Sequence, residues 1–394
     1  MKAVTWQGKH NVEVTEVPDP VLLEPTDAIV RVTSTAICGS DLHLYGPLAP
    51  FLDRGDILGH EALGIVEEVG PQAGNLQVGD RVVVPFTISC GHCWMCQRGL
   101  QSQCETTQVT QQDSGAALFG YTRLYGSVPG GQAEYVRVPQ AQYGPVVLPT
   151  DGPDERYLYL SDILPTAWQG VRYAGVGEGD TLVVVGLGPV GQLATRCAQV
   201  LGVDRVIGLD LVPERLETAR AHGVEAVDIR TLSDPAAAIK DLTQGRGADG
   251  VVDAVGMEAH GSPVAEGVVK AVSSLPGPIA RAATEKAGID RLAALHLALG
   301  AARRGGTVSL SGVYGGAADP MPMMQMFDRQ LTIRMGQANV RRWTDELMEL
   351  VRDGNAILDV ESLATHRLPL DQAAEAYRMF QTKSDGCLKV VLQP

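Results

Sequence analysis

Residues 89–104 contain the densest group of candidate metal ligands in the chain. Their sequence is SCGHCWMCQRGLQSQC, which holds four of the seven cysteines, namely Cys90, Cys93, Cys96 and Cys104. Two residues separate each of the first three cysteines and seven precede the fourth, so a single loop can bring four thiolates together. Four thiolates at about 2.3 Å suit tetrahedral zinc and leave no position for water or substrate. The spacing therefore predicts a structural zinc site.

Redox chemistry is the main alternative use of these cysteines. A thioredoxin-like CxxC pair opens a helix after a strand, whereas glycine and glutamine surround this one. His92 offers an imidazole inside the same loop, but four cysteines already complete a tetrahedral shell. We predict that two cysteines outside the loop, Cys197 and Cys387, are plain core residues.

A second group of ligand types lies upstream of the cysteine loop. ICGSDLH, residues 37–43, contains Cys38, and GHE, residues 59–61, contains His60. One thiolate, one imidazole and one further ligand would leave a zinc ion with an open fourth position, which is the arrangement of catalytic sites. A lone cysteine and a lone histidine are more often buried packing residues, so the identity of a third ligand decides between the two interpretations.

A glycine-rich loop, GLGPVG, follows the strand-like segment TLVVV and precedes a predicted helix. Such glycines permit a tight turn and a close approach of the backbone, and the helix N-terminus receives the pyrophosphate of a dinucleotide. The predicted cofactor-binding residues of this loop are Gly186, Gly188, Pro189, Val190 and Gly191.

Asp210 closes the next predicted strand, RVIGLD, nineteen residues after Gly191. Its carboxylate would bind the ribose hydroxyls and repel a 2′-phosphate, which favours NAD over NADP. Arg215 also counts among the predicted cofactor-binding residues, and its positive charge so near Asp210 weakens that preference.

The elements that must position these residues change character along the chain. The first 150 residues contain short apolar segments such as DAIVRV and DRVVVP, broken by glycine and proline, and we expect them to be rich in β-strands. From about Asp180, strands alternate with helices, which indicates a doubly wound parallel sheet. The long connection at 257–295 suggests a lid, an extra helix or a subunit contact, and MPMMQMF, 321–327, suggests core or interface packing.

The composition excludes several kinds of partner. The net charge is −14, from 32 Lys plus Arg against 46 Asp plus Glu, and with no basic run this disfavours nucleic-acid binding. No apolar run reaches the roughly 18 to 20 residues of a spanning helix, and the N-terminus lacks the features of a signal peptide. We therefore expect a cytoplasmic protein without membrane contact, in a reducing compartment that disfavours disulfides.

Together these motifs resemble the zinc-dependent medium-chain alcohol dehydrogenases over nearly the whole chain. The resemblance implies an α/β protein with a GroES-like β-rich catalytic domain over 1–163, a Rossmann NAD-binding domain over 164–337, and a return to the catalytic domain over 338–394. LSDILPTAWQG, 160–170, is similar to the branch of glutathione-independent formaldehyde dehydrogenases and aldehyde dismutases, which has Asp where many alcohol dehydrogenases have Cys. QAEYVRVP, 132–139, resembles that branch too.

This resemblance supplies the missing third ligand. It implies that Cys38, His60 and Asp162 hold a catalytic zinc. Together with the four-cysteine loop and the glycine loop, this predicts two zinc ions and NAD for each chain. Two anionic ligands balance the dication, and a carboxylate leaves the metal more electrophilic than a second thiolate would. Asp41 and Glu61 flank the ligands, and Asp41 would orient the imidazole of His60 through its other nitrogen. Ordinary surface charge is the alternative for both.

The same resemblance implies roles for four further residues. Ser40 and His43 are similar in position to the family's proton relay, which passes a proton through the cofactor ribose to an imidazole near solvent. Thr166 would pack beside the nicotinamide, and Lys389, in CLKVVLQ, would return toward the pyrophosphate. The alternatives are a loop histidine, an ordinary helix threonine and an exposed lysine.

The predicted function is hydride transfer between NAD and a small alcohol or aldehyde, including an aldehyde hydrate. A threonine or polyol dehydrogenase of the same superfamily would share the fold, the zinc and the cofactor. A zinc-free quinone reductase is disfavoured by the set Cys38, His60 and Asp162, and a non-catalytic NAD-binding structural protein by the complete relay and ligand set. The family also implies a homo-oligomer, either a tetramer or a dimer.

Overall fold

The computed structural model describes residues 1–258, 292–315 and 321–394. The chain divides into two compact units, one formed by Met1–Pro165 together with Ala338–Pro394 and the other by Thr166–Gln337. Most of the connection at 257–295, for which the sequence suggests a lid, a helix or a subunit contact, lies outside the described residues.

The first unit is built on a seven-stranded sheet and a separate antiparallel hairpin. The sheet has the order β14-β15-β3-β4-β5-β7, with β6 on β3, and every pair is antiparallel except β14 with β15. Buried and more exposed residues alternate along the YVRV strand, where both valines are buried, because successive side chains point to opposite sides of a sheet. The strands are β1 Lys2–Gly8, β2 Asn11–Glu16, β3 Ala28–Ala36, β4 Glu61–Val69, β5 Arg81–Val84, β6 Tyr135–Val138, β7 Val146–Val147, β14 Ala364–Pro369 and β15 Lys389–Gln393.

The second unit contains a six-stranded sheet in which every strand pair is parallel. Its strand order is β10-β9-β8-β11-β12-β13. The central strands are continuous apolar runs such as TLVVV, as expected where helices cover both faces. The strands are β8 Thr181–Val185, β9 Arg205–Asp210, β10 Glu225–Asp228, β11 Ala248–Asp253, β12 Ala302–Leu310 and β13 Thr332–Met335. The predicted parallel sheet is thereby confirmed.

In the part of the chain that the structure describes, helices connect or flank these strands, and three of these helices begin with proline, whose fixed φ suits the first helical position. Among the described residues, no helix has the length and apolar content needed to cross a membrane. The α-helices within the described ranges are Gly39–Tyr45, Trp94–Gln97, Asp154–Leu158, Ile163–Ala174, Pro189–Val200, Pro213–Ala221, Pro235–Leu242, Ala293–Ala301, Met323–Asp328, Val340–Arg352 and Ala373–Thr382.

The methionine-rich segment differs from its predicted role as core. Met324 is 74% exposed and Phe327 is 79% exposed, both on the helix Met323–Asp328. Only part of the segment packs inward, because Met321 and Met326 contact the apolar core of the parallel sheet. Core packing is therefore wrong for the outer residues, and interface packing stays a prediction.

Candidate active site and metal centres

Antiparallel pairing of β3 and β4 brings the first two predicted ligands together. Ala36 lies opposite Glu61 in this pair, so Cys38, two residues after the end of β3, and His60, one residue before β4, lie at the same edge. A third segment adds Asp162, which stands directly before the helix Ile163–Ala174. The Asp162 Oδ2 atom lies 3.3 Å from Cys38 Sγ and 3.3 Å from His60 Nε2. The structure thus places one thiol, one imidazole and one carboxylate at a single point.

The chemistry of this donor set fits a divalent metal ion. Cys38, His60, Glu61 and Asp162 each offer a ligand atom within 4.8 Å of the others, and all four residues are buried. Burial, together with the charges of Asp162 and Glu61, raises the pKa of Cys38 to about 11. Several acidic groups packed at one buried point repel one another, and a cation at their centre removes that repulsion. Sulfur, nitrogen and oxygen donors of this kind are those that zinc binds.

Asp41 contacts both predicted ligands of the β3–β4 edge. Its Oδ1 atom lies 3.2 Å from Nδ1 of His60, and its Oδ2 atom accepts a hydrogen bond of 2.9 Å from the backbone N–H of Cys38. The second contact belongs to a capping box at the start of the helix Gly39–Tyr45. Burial lowers the pKa of His60, but the carboxylates of Asp41 and Asp162 raise it well above the ordinary value. Asp41 is fully buried, so the alternative of an ordinary surface charge is wrong.

The four cysteines of the loop form the second cluster. Their sulfur atoms lie within 4.8 Å of one another, and Cys93 Sγ is 3.9 Å from Cys104 Sγ. Tetrahedral zinc with bonds of about 2.3 Å separates its sulfur ligands by roughly 3.8 Å. The backbone N–H of Cys93 also donates to the sulfur of Cys90, at 3.3 Å. All four are free cysteines.

Backbone amides prepare Cys93 for the anionic form that binds metal. Burial raises the pKa of Cys93, but hydrogen bonds from the backbone N–H groups of Cys96 and Glu105 outweigh this and lower the pKa to about 6. The loop is anchored at its far end, where Asn339 Oδ1 accepts hydrogen bonds of 3.0 Å from both the N–H and the hydroxyl of Ser102. The cluster therefore fits a structural metal site held to the C-terminal part of the unit.

The glycine loop lies between β8 and the helix Pro189–Val200, with Pro189 and Val190 as the first helical residues. Gly186 has a φ of +87°, and a Cβ atom on Gly191 would lie 1.8 Å from the carbonyl oxygen of Gly186, so the turn itself requires both glycines. A Cβ atom on Gly188 would meet only the guanidinium of Arg215, at 3.6 Å. The fold thus leaves space beside the backbone at the N-terminus of this helix.

Asp210 ends β9 and holds the glycine loop directly. Its Oδ2 atom accepts a hydrogen bond of 2.7 Å from the backbone N–H of Leu187, and its Oδ1 atom accepts one of 2.7 Å from Leu211. The nearest guanidinium nitrogen of Arg215 lies 4.0 Å away. The predicted contact with the cofactor ribose stays a prediction, and the clamp on Leu187 is a role that the sequence did not indicate.

Comparison with known proteins places these two units and their sites in a family. The model for the alcohol dehydrogenase GroES-like domain matches residues 24–149, and the model for zinc-binding dehydrogenases matches residues 189–267. An uncharacterised zinc-type alcohol dehydrogenase-like protein, AdhB, from Bacillus subtilis is 41% identical over the full length of both chains. The chain belongs to the zinc-dependent medium-chain alcohol dehydrogenases.

Other members of this superfamily are similar over the same length. Formaldehyde dismutase from Pseudomonas putida is 32% identical over 100% of this chain and 97% of its own. Glutathione-independent formaldehyde dehydrogenase from Pseudomonas aeruginosa is 35% identical over 96% and 94%. Among solved structures, alcohol dehydrogenase TADH from Thermus sp. ATN1 has a TM-score of 0.82 at 36% identity, covering 100% of this chain and 99% of its own.

These comparisons confirm several predictions about this medium-chain dehydrogenase. The GroES-like domain, the NAD-binding Rossmann domain and the likeness to formaldehyde dehydrogenases are confirmed. The protein is a zinc-type, alcohol dehydrogenase-like oxidoreductase that acts on a small molecule. Its exact substrate, its subunit number, its cellular location and the roles of its individual site residues stay predictions.

Lys389 is buried, whereas the sequence left an exposed lysine open as the alternative. Both Lys389 and Glu61 are fully buried, and the lysine Nζ atom lies 2.6 Å from Glu61 Oε1. Burial lowers the pKa of Lys389, but the Glu61 carboxylate outweighs it and raises that pKa. The exposed alternative for Lys389 and the surface-charge alternative for Glu61 are therefore wrong. The contact between Lys389 and the cofactor pyrophosphate stays a prediction.

The two predicted relay residues, Ser40 and His43, differ in how well their surroundings match the prediction. Ser40 Oγ is 3.1 Å from His60 Nε2, beside the donor set. His43 is only 4% exposed, so the expectation of an imidazole near solvent is not what the structure shows. Thr166 is partly buried in the first turn of the helix Ile163–Ala174, and its contact with the nicotinamide stays a prediction.

Two aromatic residues of the site were missed by the sequence reasoning. The rings of Phe86 and Tyr121 meet the imidazole of His60 edge to face, at centroid distances of 6.2 and 6.4 Å. Both are buried, and the backbone N–H of Phe86 donates to the carbonyl of Ser161, which fixes the turn before Asp162. Tyr121 lies in the segment FGYTRLYG, 119–126, but no local pattern indicates that its ring, or that of Phe86, faces His60.

Proposed function

We propose that this protein is an NAD-linked dehydrogenase of small alcohols and aldehydes in which Cys38, His60 and Asp162 hold the catalytic zinc. The convergence of these three side chains from distant segments to one buried point carries the proposal. Zinc held by these three side chains would supply polarisation of the substrate oxygen, and NAD held at the glycine loop would supply the hydride acceptor. The cysteine loop would hold a second, structural zinc.

The surrounding side chains would prepare this chemistry. Asp41 holds the imidazole of His60 in one orientation through Nδ1, which leaves Nε2 directed at the donor set. The Ser40 hydroxyl, 3.1 Å from that Nε2 atom, is placed to accept the proton of a substrate alcohol. Phe86 and Tyr121, which are buried and lie edge to face with the imidazole, would help to keep water away from it. In the relay that the family resemblance implies, the proton would pass from Ser40 through the cofactor ribose to His43, which is buried in this structure.

Aldehydes, and formaldehyde first among them, are the substrates that we favour. Asp162 in the segment LSDILPTAWQG supports this choice, as do the full-length relatives named for formaldehyde dismutation and formaldehyde oxidation. A dehydrogenase of ordinary alcohols is the second candidate, supported by the similarity to the Thermus alcohol dehydrogenase. Both candidates share the same metal ligands and cofactor.

A panel of substrates tests the proposal. The zinc-loaded protein is mixed with formaldehyde, longer aldehydes, primary alcohols, threonine and a polyol, with and without added NAD, while NADH absorbance and the carbon products are followed. We expect NAD-dependent oxidation of a small aldehyde or alcohol that stops after zinc is removed. Preference for threonine or the polyol would support that branch instead. Aldehyde turnover without added NAD would select dismutation, and a zinc-loaded protein inactive on the whole panel would overturn the proposal.

A further inference from the structure

A line of buried polar side chains extends from the imidazole of His60 away from the ligand atoms. Asp41 Oδ1 contacts His60 Nδ1 at 3.2 Å, and the other oxygen, Oδ2, accepts a hydrogen bond of 3.2 Å from Nε2 of Gln132. The hydroxyl of Tyr377 donates to Oε1 of Gln132 at 2.8 Å. The line thus joins a ligand near β4 to the C-terminal helix Ala373–Thr382, which carries Tyr377.

The hydrogen bonds of Gln132 fix the orientation of its side-chain amide. Gln132 Nε2 also donates to the backbone carbonyl of Ala36, at 3.2 Å, so its amide nitrogen faces two acceptors. Its amide oxygen must then face the Tyr377 hydroxyl, which acts as the donor. Reversal of the amide would set Oε1 against the carboxylate of Asp41 and the carbonyl of Ala36. The phenol of Tyr377 therefore fixes which atom of Gln132 meets Asp41.

Packing alone does not account for a glutamine at this position. Gln132 and Tyr377 are fully buried, and burying an amide or a phenol costs free energy unless each finds a hydrogen-bond partner. Gln132 also packs tightly on Gly59, where a Cβ atom would lie 2.3 Å from Cγ of the glutamine. An unbranched apolar side chain such as Met would fill the same space. What only the amide supplies is the N–H donor to Asp41.

We propose that Gln132 and Tyr377 are positioning residues for the metal ligand His60 and act through Asp41. Gln132 holds the carboxylate so that one oxygen faces the imidazole and the other faces the backbone N–H of Cys38. Tyr377 holds the amide of Gln132 in the required orientation. This inference rests on the proposed function, because it assigns His60 as a zinc ligand.

Single and double variants separate positioning from packing. Gln132→Met keeps the length of the side chain and removes the donor, and Tyr377→Phe removes only the hydroxyl. Tyr45→Phe is the matched control, because the Tyr45 ring contacts the Tyr377 ring at 5.5 Å but its hydroxyl takes no part in the line. For each protein we would measure kcat, KM, the rate of zinc release to a chelator, and the thiolate-to-cobalt absorption after exchange with Co²⁺.

Positioning predicts a particular pattern in these measurements. Gln132→Met should release the catalytic zinc roughly 10-fold faster or more, and its kcat should fall by a similar factor. Effects of this size are found when groups behind a metal ligand are changed. Tyr377→Phe, which acts one hydrogen bond further from the metal ligand, should show the same changes to a smaller extent, with a shifted cobalt spectrum and little change in KM. The double variant should match Gln132→Met alone, because Tyr377 acts only through that amide.

Other outcomes would overturn the inference without touching the proposed function. Wild-type zinc release, cobalt spectrum and kcat in Tyr377→Phe would show that the hydroxyl positions nothing. Effects that add in the double variant, or that follow the melting temperature alone, would show a packing role. Failure of the wild-type protein to bind the catalytic zinc or to produce NADH would instead refute the proposed function itself. If Gln132→Met does not fold, Tyr377→Phe against Tyr45→Phe still decides.

Discussion

The two candidate metal sites of the first unit are built in opposite ways. The cysteine cluster takes all of its donors from fifteen consecutive positions, 90–104, in one loop. The other site takes its donors from residues 38, 60 and 162, which meet only after β3 and β4 have paired and the turn before Asp162 has formed. A local cluster can hold a metal as soon as its loop closes, whereas a dispersed one depends on the finished fold.

This difference predicts different consequences of losing a donor. The loop site is closed by four thiolates and contributes to folding, so its loss should lower stability first. The dispersed site is assembled by the sheet and needs only three protein donors, so its loss should remove chemistry and leave the fold. Each of the following changes tests one side of that contrast.

Replacing Asp162 with Ala should have the largest effect on catalysis. The variant should lose kcat on the order of 1000-fold and bind one zinc ion fewer than the wild type, because a three-donor site loses its carboxylate. Steady-state NADH production and elemental analysis measure both quantities. Asp385→Ala, which removes a solvent-exposed carboxylate of the same unit, is the control. Activity within a few-fold of the wild type would show that Asp162 is not a ligand.

Replacing Cys93 with Ser should act mainly on stability. We expect a fall in melting temperature on the order of 5–10 °C and loss of one zinc ion, because a structural zinc site supplies folding energy. Differential scanning calorimetry with zinc analysis measures this change. His92→Ala, in the same loop, should keep both zinc ions and the wild-type melting temperature. A Cys93→Ser protein that is fully stable but inactive would reverse the assignment of the two sites.

Replacing Lys389 with Met should leave the Glu61 carboxylate buried without its partner. Breaking a buried ion pair from one side costs about 3–5 kcal/mol of unfolding free energy. Unfolding by denaturant, followed through the transition of the first unit, measures the loss of unfolding free energy. The double variant Lys389→Met with Glu61→Gln should recover much of it, because no charge is then stranded. Equal instability of the single and double variants would show that shape, rather than charge, matters here.

Replacing Asn339 with Ala should produce the smallest effect. The buried N–H and hydroxyl of Ser102 both lose their acceptor, which costs about 1–3 kcal/mol. The rate of zinc release from the cysteine loop should rise, while kcat changes little. Ser102→Ala, which removes one of the two hydrogen bonds, should fall between Asn339→Ala and the wild type in melting temperature. An unchanged release rate would show that the loop does not depend on this anchor.

The same contrast explains how much the sequence could predict. The cysteine spacing and the GLGPVG turn are short patterns whose geometry follows from neighbouring residues. Asp162 could not be found in this way, and it was predicted from the family resemblance of LSDILPTAWQG. Its position depends on the turn that Phe86 holds through Ser161, a contact across more than seventy residues.

Three residues make contacts that no sequence pattern indicated, and these contacts share one property. Lys389, Gln132 and Tyr377 reach the site through strand register and helix packing, and each has its partner more than ninety positions away. A lysine in an apolar strand, or a glutamine after two glycines, has several ordinary interpretations in the sequence alone. The exposure of Met324 likewise depends on what the fold leaves uncovered, which composition does not show.

Asp210 sets a constraint on any attempt to change the coenzyme of this enzyme. Its carboxylate accepts a hydrogen bond of 2.7 Å from the N–H of Leu187. Exchanging Asp210 for a neutral or basic side chain, in order to admit a phosphorylated dinucleotide, would therefore also release the turn that we predict to receive the diphosphate. A redesign would need a replacement acceptor for that amide, and otherwise the gain in selectivity would come with weaker binding of both coenzymes.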